Sequence, residues 1–289
     1  MVLCVIGPTA SGKTALSVEL ALKFGGEVIS CDSMQIYRGM DIGTAKPTAA
    51  ERKGVPHHMI DVCDPSEPYS AARYAREASA CADDILKRGR LPVITGGTGL
   101  YLNALLYGIH RAEGSAGLRE DIQRRNDLHT ELSNLDPAAA ARLHPNDKRR
   151  IVRALEVYYS SGRPISEHHE ESKKIPPRWK TLIIGIRFAD RAELYERIER
   201  RVDRMLELGL PEEINALLSR VPPPCHTALQ AIGYKELGDA EAIKRNTRRY
   251  AKRQMTWFGK MPDVQWIDFS ENILGEASKI AEIAGLHKL

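Results

Sequence analysis

The most constraining feature of this sequence is a short glycine-containing segment near its N-terminus. It reads Gly7-Pro8-Thr9-Ala10-Ser11-Gly12-Lys13-Thr14, which matches the pattern G-x-x-x-x-G-K-T. In this pattern the backbone N–H groups converge on phosphate oxygens, and the helix that follows adds the positive end of its dipole. Lys13 would contribute a point charge, and the Thr14 hydroxyl could bind Mg²⁺. The segment therefore predicts a site for a diphosphate or a larger polyphosphate.

Strand-like and helical patterns alternate around this loop. Apolar, β-branched runs predict strands over 2–6, 27–31, 59–62 and 91–95. Helical patterns fall over 12–24, over 70–88 with Ser70 as N-cap, and over 96–107. Strands separated by helices predict an α/β fold, a P-loop NTPase-like core with a parallel sheet and helices on both faces.

The pattern changes after Gly108. Residues 118–159 show helical periodicity and no convincing strand, and 181–188 then predicts a strand that returns to the sheet. A helix is predicted next, over 192–208. We therefore expect an α/β core formed by residues 1–113 and 175–289, with a helical insertion domain over 114–174.

Composition excludes several classes of protein. The 289 residues are 43% hydrophobic and 28% charged, which is ordinary for a globular chain. The longest apolar runs are far shorter than the ~20 residues of a membrane helix. No two of the five cysteines form a C-x-x-C pair, so neither a zinc knuckle nor a redox motif is indicated. No targeting segment precedes the first strand, and we expect a cytoplasmic monomer with no membrane partner.

One carboxylate is well placed for chemistry. Asp32 follows the strand predicted over 27–31, and the carboxyl ends of parallel strands line the ligand crevice of an open sheet. Asp32 should therefore stand beside the phosphate loop, where it could act as a general base toward an acceptor. By contrast, the strand over 91–95 ends without the Mg²⁺-organising Asp that is usual in kinases and triphosphatases.

Two basic segments indicate an anionic partner. Seven basic and no acidic residues lie between Lys244 and Lys260, interleaved with Tyr250, Trp257 and Phe258. For one such segment alone, a solvated helix face with aromatic residues in the core is the commoner explanation. A second cluster, Lys148, Arg149, Arg150 and Arg153, favours an extended polyanion such as RNA.

Nine motifs in order carry a resemblance to a known family. They occupy 7–14, 32–38, 39–47, 56–61, 64–71, 96–101, 146–157, 231–237 and 247–258. The set resembles the bacterial tRNA dimethylallyltransferases and covers nearly the whole chain. The resemblance implies transfer of the dimethylallyl group from dimethylallyl diphosphate to N6 of adenosine-37 in the tRNA anticodon loop. It implies Mg²⁺ as the helper ion and diphosphate as the leaving group.

The resemblance also implies roles for individual residues. Asp32 would be the base, Lys13 and the loop amides would hold the diphosphate, and Arg191 would match a further diphosphate contact. The implied tRNA contacts are Asp32, Ser33, Met34, Gln35, Thr98, Arg119, Arg149, Arg150, Ile151, Val152, Arg153, Gln230, Ala231, Ile232, Gly233, Tyr234 and Lys235. The insertion would grip the anticodon stem, and Ser33 and Gln35 could hydrogen-bond an extruded adenine.

Three other functions share part of this pattern. A small-molecule or nucleotide kinase would use the same loop but leaves the basic clusters unexplained. An adenylate isopentenyltransferase would use the same donor, but the insertion would have no purpose. A non-catalytic RNA-binding protein would not need Lys13, Thr14 and Asp32 together.

His57 and His58 are adjacent on a strand-like segment, so their side chains should face opposite ways rather than share a metal.

Overall fold

A computed structural model of the chain describes residues 1–108, 116–172 and 174–287, apart from the Ala116 side chain. It divides into two compact units, one formed by Met1–Leu106 with Trp179–Leu289 and the other by Tyr107–Arg178. The helical segment expected over 114–174 is thus part of a unit that begins earlier and ends later. Its expected first residue, 114, lies outside the described residues.

The first unit is built on a six-stranded sheet. Its strands are β1 (Val2–Ile6), β2 (Gly26–Ser30), β3 (His57–His58), β4 (Leu91–Gly96), β5 (Thr181–Arg187) and β6 (Val264–Asp268). They lie in the order β3-β2-β4-β1-β5-β6, and all five neighbouring pairs are parallel. The prediction of an α/β fold with a parallel sheet is confirmed. Since β1, β4 and β2 are central, their carboxyl ends meet at the middle of one sheet edge.

Helices cover both faces of this sheet. Those of the first unit are α1 (Lys13–Phe24), α2 (Ala49–Arg52), α3 (Ala71–Lys87), α4 (Gly99–Tyr107), α10 (Arg191–Glu207), α11 (Leu210–Leu218), α12 (His226–Leu229), α13 (Ala240–Phe258) and α14 (Ile273–Ile283). The β1-α1-β2 and β3-α3-β4 crossovers run in opposite directions across the sheet, and right-handed connections place their helices on opposite faces. Leu3, Val5 and Leu20 belong to the core on the α1 face.

The second unit is helical throughout the part that the structure describes. Its helices are α5 (Ala116–Arg124), α6 (Leu128–Leu135), α7 (Pro137–Ala140), α8 (Lys148–Ser161) and α9 (Ile165–Ser172). Asp147 caps the first turn of α8, and Ile151 and Leu155 place one side of that helix in a separate apolar core.

One strand prediction is wrong, and one strand was not predicted. The third strand is His57–His58 rather than 59–62. Met59 and Asp61 have left-handed φ angles of 62° and 58°, which a strand does not accommodate. The last strand, β6, was not predicted because Gln265 and Asp268 interrupt its apolar residues and leave no continuous apolar run.

No helix within the described ranges is both long and apolar enough to cross a membrane.

Candidate active site

The phosphate loop joins β1 to α1 and depends on glycine at both ends. Gly7 has a φ of 152°, and a Cβ there would lie 2.9 Å from the Ile186 carbonyl oxygen. Gly12 has a φ of 81° and precedes the first helical residue, Lys13. Because L-residues rarely adopt such angles, these glycines allow the loop to turn tightly into the helix. The loop is also held from outside, since Arg197 Nε donates to the Ala10 carbonyl over 2.9 Å.

A small cavity of about 70 Å³ lies at the carboxyl edge of the sheet, next to this loop. It is lined by Thr9, Lys13, Thr14, Ser30, Asp32, Gln35, Thr44, Ala45, Pro47, His57, Ile60, Thr95, Gly96, Gly97, Arg201, Tyr250 and Gln254. The strand order determines the direction in which the cavity extends along the sheet edge. The phosphate loop follows β1, Asp32 follows β2 and His57 lies in the edge strand β3, so the cavity runs from the loop toward that edge.

Two cations meet at the loop end of the cavity. Lys13 Nζ donates to the Pro8 carbonyl over 2.6 Å, and Arg201 Nη1 lies 3.4 Å from the Thr9 hydroxyl. Burial lowers the pKa of Lys13 to about 7, with the neighbouring Arg201 contributing and Asp32 opposing. Burial likewise lowers the pKa of Arg201. Asp32 compensates these two desolvated groups only in part, so the site favours binding of a multiply charged anion such as diphosphate.

Asp32 stands in the middle of the cavity in a fixed orientation. Its Oδ1 accepts the backbone N–H groups of Met34 at 2.8 Å and Gln35 at 3.3 Å. These bonds form a local turn in which one carboxylate oxygen is held by the backbone. Oδ2 has no hydrogen bond to any residue in the described ranges, so it can accept a proton from a substrate.

Gln35 contributes to the wall rather than to recognition of a base. Its Oε1 accepts from the Ser30 hydroxyl at 2.9 Å, and its Nε2 donates to the carbonyls of Thr44 and Ala45, both at 3.2 Å. Both Nε2 hydrogens are therefore used within the protein. The expectation was that Gln35 could hydrogen-bond an extruded adenine, and in this structure no Nε2 hydrogen remains to donate to one.

The far end of the cavity contains a neutral histidine. His57 Nδ1 lies 2.9 Å from the Val55 carbonyl, which fixes the proton on Nδ1. Burial lowers the pKa of His57, so the ring stays neutral. His58 points elsewhere, with Nε2 2.8 Å from Glu27. The prediction that the two rings do not share a metal agrees with this placement.

Helix α13 reaches the cavity through two side chains one turn apart, Tyr250 and Gln254. Gln254 Oε1 accepts the Thr9 N–H at 2.8 Å, and its Nε2 donates to the Gly97 carbonyl at 3.0 Å. Gln254 was not predicted as a site residue. The available signal was a polar residue on the buried face of the helix that also carries Ile243 and Phe258.

The other aromatic residues of α13 have packing roles. Phe258 is 1% exposed, and the Trp257 ring lies so close to α4 that a Cβ on Gly99 would be 2.2 Å from it. Of the aromatics predicted to stack on bases, only Tyr250 lines the cavity. Among the basic residues, Lys244 and Arg248 pair with Asp203 and Glu199 of α10.

The prediction for Arg191 is wrong in position. Arg191 is exposed in the first turn of α10 and does not line the cavity. Arg201, ten residues further along the same helix, does. Ten residues advance a helix by about 15 Å, so the two side chains cannot serve the same site. The signal that could have identified Arg201 is its place on the buried face with Leu194 and Ile198.

Some of the predicted tRNA contacts lie together in the first unit. Thr98 Oγ1 accepts the Ser33 N–H at 3.1 Å, beside Asp32. In the segment 230–235, Gln230 and Lys235 are exposed, whereas Ala231 is 3% and Tyr234 2% exposed. The two buried side chains cannot touch an RNA, because the segment turns them into the core. Ile232 is partly exposed and Gly233 is buried.

In the second unit, some of the residues expected to contact tRNA are likewise exposed and others are buried. Arg119 and Arg153 both lie within 4 Å of the buried Glu156 carboxylate, at 3.7 and 3.5 Å, so residues far apart in sequence form one cationic group. Arg149 and Arg150 are exposed. Ile151 and Val152, which belong to the segment implied to contact tRNA, are core residues with 1% and 2% exposure, so their side chains are not available to an RNA.

The predicted metal ligand, Thr14, lines the cavity beside Lys13 and Asp32. Within the described ranges, no group of three or more His, Cys, Asp or Glu side chains could hold a metal by itself. Mg²⁺ prefers oxygen ligands and often binds through a few protein oxygens together with substrate phosphates. A hydroxyl beside a phosphate loop fits that type of site.

Comparison with known proteins identifies the family of this chain. The family described as IPP transferase matches residues 35–261, and the family described as isopentenyl transferase matches residues 1–64. The chain belongs to the IPP transferase family. Among curated members, "tRNA dimethylallyltransferase 1" of Pelobacter propionicus is 48% identical, and the alignment covers 93% of both chains. The "tRNA dimethylallyltransferase" of Geobacter sulfurreducens is 47% identical over 92% of this chain and 91% of its own.

Solved structures of IPP transferase relatives share the fold. The full-length tRNA isopentenylpyrophosphate transferase of Bacillus halodurans is 41% identical, with a TM-score of 0.72 over 98% of this chain and 97% of its own. A eukaryotic dimethylallyltransferase acting on tRNA is 33% identical, with a TM-score of 0.85 over 99% of this chain and 80% of its own. The family assignment made from the nine motifs is confirmed.

Proposed function

We propose that this protein transfers the dimethylallyl group of dimethylallyl diphosphate to N6 of adenosine-37, beside the tRNA anticodon. The observation that carries this proposal is one cavity lined by residues of the phosphate loop, two desolvated cations and an oriented carboxylate. A diphosphate at the loop directs its prenyl group toward Asp32 and the β3 edge, where the acceptor amine has to meet it. Membership of a family whose named relatives act on tRNA supports the choice of acceptor.

The reaction exchanges one bond for another. N6 of adenine attacks C1 of the allylic donor, so that an N–C bond forms as the C1–O bond to diphosphate breaks. The N6 proton passes to Oδ2 of Asp32, the carboxylate oxygen that the turn leaves available. A positioned base is needed because the exocyclic amine is a poor nucleophile while it keeps both protons.

The leaving diphosphate gathers negative charge as the C1–O bond breaks. Lys13, Arg201 and the loop amides surround the place where that charge develops. Such preorganised donors and cations are usually the largest contribution to catalysis. Thr14 would hold Mg²⁺, which when bound adds further positive charge against the phosphates.

The acceptor adenine must leave its stack in the anticodon loop to reach the cavity. Ser33 and Thr98 flank Asp32, and Tyr250 offers a ring on which an extruded base could stack. In the second unit, Arg119, Arg149, Arg150 and Arg153 present a cationic surface that suits the phosphates of the anticodon stem.

The proposal is tested by incubating the protein with dimethylallyl diphosphate, Mg²⁺ and unmodified tRNA, followed by digestion and mass analysis of the nucleosides. We expect an isopentenyl mass on one adenosine, located next to the anticodon by fragment mapping. Phosphoryl transfer from ATP without prenylated adenosine would identify a kinase instead, although β4 ends at Gly96 without an Asp. Prenylation of free AMP rather than tRNA would identify an adenylate isopentenyltransferase.

An Asp32→Asn variant separates catalysis from binding. The amide keeps an oxygen for the Met34 and Gln35 N–H groups, so the turn should survive, but it cannot take the N6 proton. We expect tRNA affinity within about twofold of wild type and turnover reduced by about 10²–10⁴, the usual contribution of a general base. Near-normal turnover would remove Asp32 from this role.

A further inference from the structure

Part of the cavity wall is formed by an irregular segment, residues 41–47, which we call the wall loop. Thr44, Ala45 and Pro47 of this loop line the cavity. The loop has no regular secondary structure of its own, and the structure assigns it turns and coil only. Hydrogen bonds from the Ala45 N–H to the Ile42 carbonyl at 2.9 Å and from the Lys46 N–H to the Asp41 carbonyl at 3.0 Å fold it locally. Contacts with other elements hold this turn in place.

One carboxylate supplies much of that contact. Glu213 of α11 accepts three consecutive backbone N–H groups of the wall loop, from Asp41 at 2.7 Å, Ile42 at 2.8 Å and Gly43 at 3.0 Å. The first two bonds end on Oε2 and the third on Oε1. Hydrogen bonds to a charged acceptor are roughly twice as strong as neutral ones, and three from one loop segment fix its path.

The same carboxylate also holds a segment expected to lie near the RNA. Tyr234 is 2% exposed, and its hydroxyl donates to Glu213 Oε1 over 2.5 Å. Its ring packs against the wall loop so closely that a Cβ on Gly43 would be 2.5 Å from it. Tyr234 lies between the exposed Gln230 and Lys235, so Glu213 joins the wall loop to the 230–235 segment.

The effect of Glu213 extends to the cavity itself. The wall-loop carbonyls of Thr44 and Ala45 accept the Gln35 amide, which in turn accepts from Ser30 at the end of β2. A shift of the wall loop would therefore move the cavity lining and release Gln35. The phosphate loop lies at the other end of the cavity, on β1, and none of its residues bonds to Glu213 within the described ranges.

We propose that Glu213 is a positioning residue that shapes the prenyl end of the donor cavity and at the same time orients the 230–235 segment toward the acceptor tRNA. This inference rests on the proposed function for the identity of the two substrates. It assigns to one half-buried carboxylate the alignment of donor and acceptor, although the carboxylate touches neither.

The test compares Glu213→Gln with Glu212→Gln, its exposed neighbour on α11. An amide at 213 has one acceptor oxygen, and its N–H₂ group faces backbone N–H donors that it cannot accept. With saturating tRNA, we expect the KM for dimethylallyl diphosphate to rise about tenfold in Glu213→Gln. The inhibition constant of inorganic diphosphate, which has no prenyl group, should stay within twofold. Glu212→Gln should leave both constants unchanged.

The KM for tRNA tests the effect of Glu213 on the acceptor. Glu213→Gln should also raise the KM for tRNA several-fold, and Tyr234→Phe, which removes only the fourth hydrogen bond, should raise the tRNA KM more than the donor KM. If Glu213→Gln proves unstable, Glu213→Asp keeps the charge and should give intermediate values.

Two outcomes would overturn the inference. One is an unchanged donor KM in Glu213→Gln. The other is a parallel rise of donor KM and diphosphate inhibition constant, which would mean general damage to the site. Failure of the proposed function would be seen separately, as a wild-type protein that binds dimethylallyl diphosphate no more tightly than diphosphate.

Discussion

Gln254 Oε1 lies 2.8 Å from the backbone nitrogen of Thr9 and accepts its hydrogen bond, so one N–H group of the phosphate loop is turned toward the protein. The other end of the Gln254 amide donates to the Gly97 carbonyl at the end of β4. A single side chain thus ties helix α13 to the ends of two central strands.

Replacing this side chain should impair donor binding. Gln254→Leu keeps the approximate shape but leaves the Thr9 N–H and the buried Gly97 carbonyl without partners, at about 1–3 kcal/mol for each buried group. We expect a donor KM at least tenfold higher and a lower melting temperature. Gln254→Glu should raise the KM further because it adds a negative charge beside the diphosphate. Equal values for the two variants in steady-state assays would contradict the electrostatic part of this argument.

Diphosphate binding should depend on pH through Lys13. Its pKa of about 7 in the free protein, against 10.5 in the unfolded chain, means that the amine is neutral above pH 7 until an anion binds. Bound diphosphate favours the ammonium form, so affinity should fall by up to tenfold per pH unit above 7. Between pH 7 and 10.5 the unfolded chain holds the extra proton, so the ligand-free protein should gain stability as pH rises.

Calorimetric titration of diphosphate at pH 8 in two buffers of different ionisation enthalpy measures this proton directly. We expect uptake of nearly one proton in the wild type. In Lys13→Arg the guanidinium stays charged, and both the uptake and the pH dependence from this residue should disappear. Zero uptake in the wild type would contradict a neutral Lys13.

The sequence predicted the site most successfully where chemistry depends on backbone pattern. The loop at 7–14 and the strand-end position of Asp32 follow from local spacing and the rule for parallel sheets. Thr9, Lys13 and Thr14 of that loop line one cavity together with Asp32. The prediction was poorest where the position of a residue around a helix decides whether its side chain is buried or exposed. Ile151 and Arg149 are two residues apart, but one is buried and the other exposed.

Long-range contacts were not accessible to local pattern at all. Glu213 and Gln254 act on backbone groups 170 and 245 positions away in sequence. Nothing in the residues around either side chain specifies its partner. A polar residue on the buried face of an amphipathic helix is a signal that such a contact exists, but the partner depends on the tertiary fold.

Arg191 and Arg201, two of the five arginines of α10, form a matched pair for testing the diphosphate site. Arg201→Ala should lower kcat/KM by about 10²-fold or more, because it removes a cation from the place where the leaving group gains charge. Arg191→Ala should stay within about twofold, since that side chain is exposed in the first turn. Steady-state kinetics with saturating tRNA would decide between them, and a large loss confined to Arg191→Ala would reverse the assignment.

The cationic group of the second unit should set the salt dependence of tRNA binding. Each phosphate contact contributes about −0.7 to −0.9 to the slope of log K against log salt. Arg119→Ala combined with Arg153→Ala should therefore weaken tRNA binding and make this slope less steep by about one to two. The KM for dimethylallyl diphosphate serves as the internal control and should not change. An unaltered slope in filter-binding measurements would exclude these two residues as phosphate contacts.

Stability in acid should depend on Glu27, which lies at the end of β2 away from the cavity and has a side chain only 4% exposed. Hydrogen bonds from Arg88 are the main cause that lowers its pKa from 4.5 to about 2. A carboxyl whose folded pKa is depressed stabilises the protein above its unfolded pKa, and that stability is lost as pH falls from 4.5 toward 2.

Glu27→Gln should therefore lower the free energy of unfolding at pH 7 by about 2 kcal/mol and flatten its dependence on pH between 4.5 and 2. Asp84→Asn is the matched control because Asp84 pairs with the same Arg88 at 2.9 Å but is 67% exposed. Its effect should be small, as expected for an exposed ion pair. Urea unfolding at several pH values measures both variants, and equal losses for the two would show that burial of Glu27 does not determine the strength of the pair.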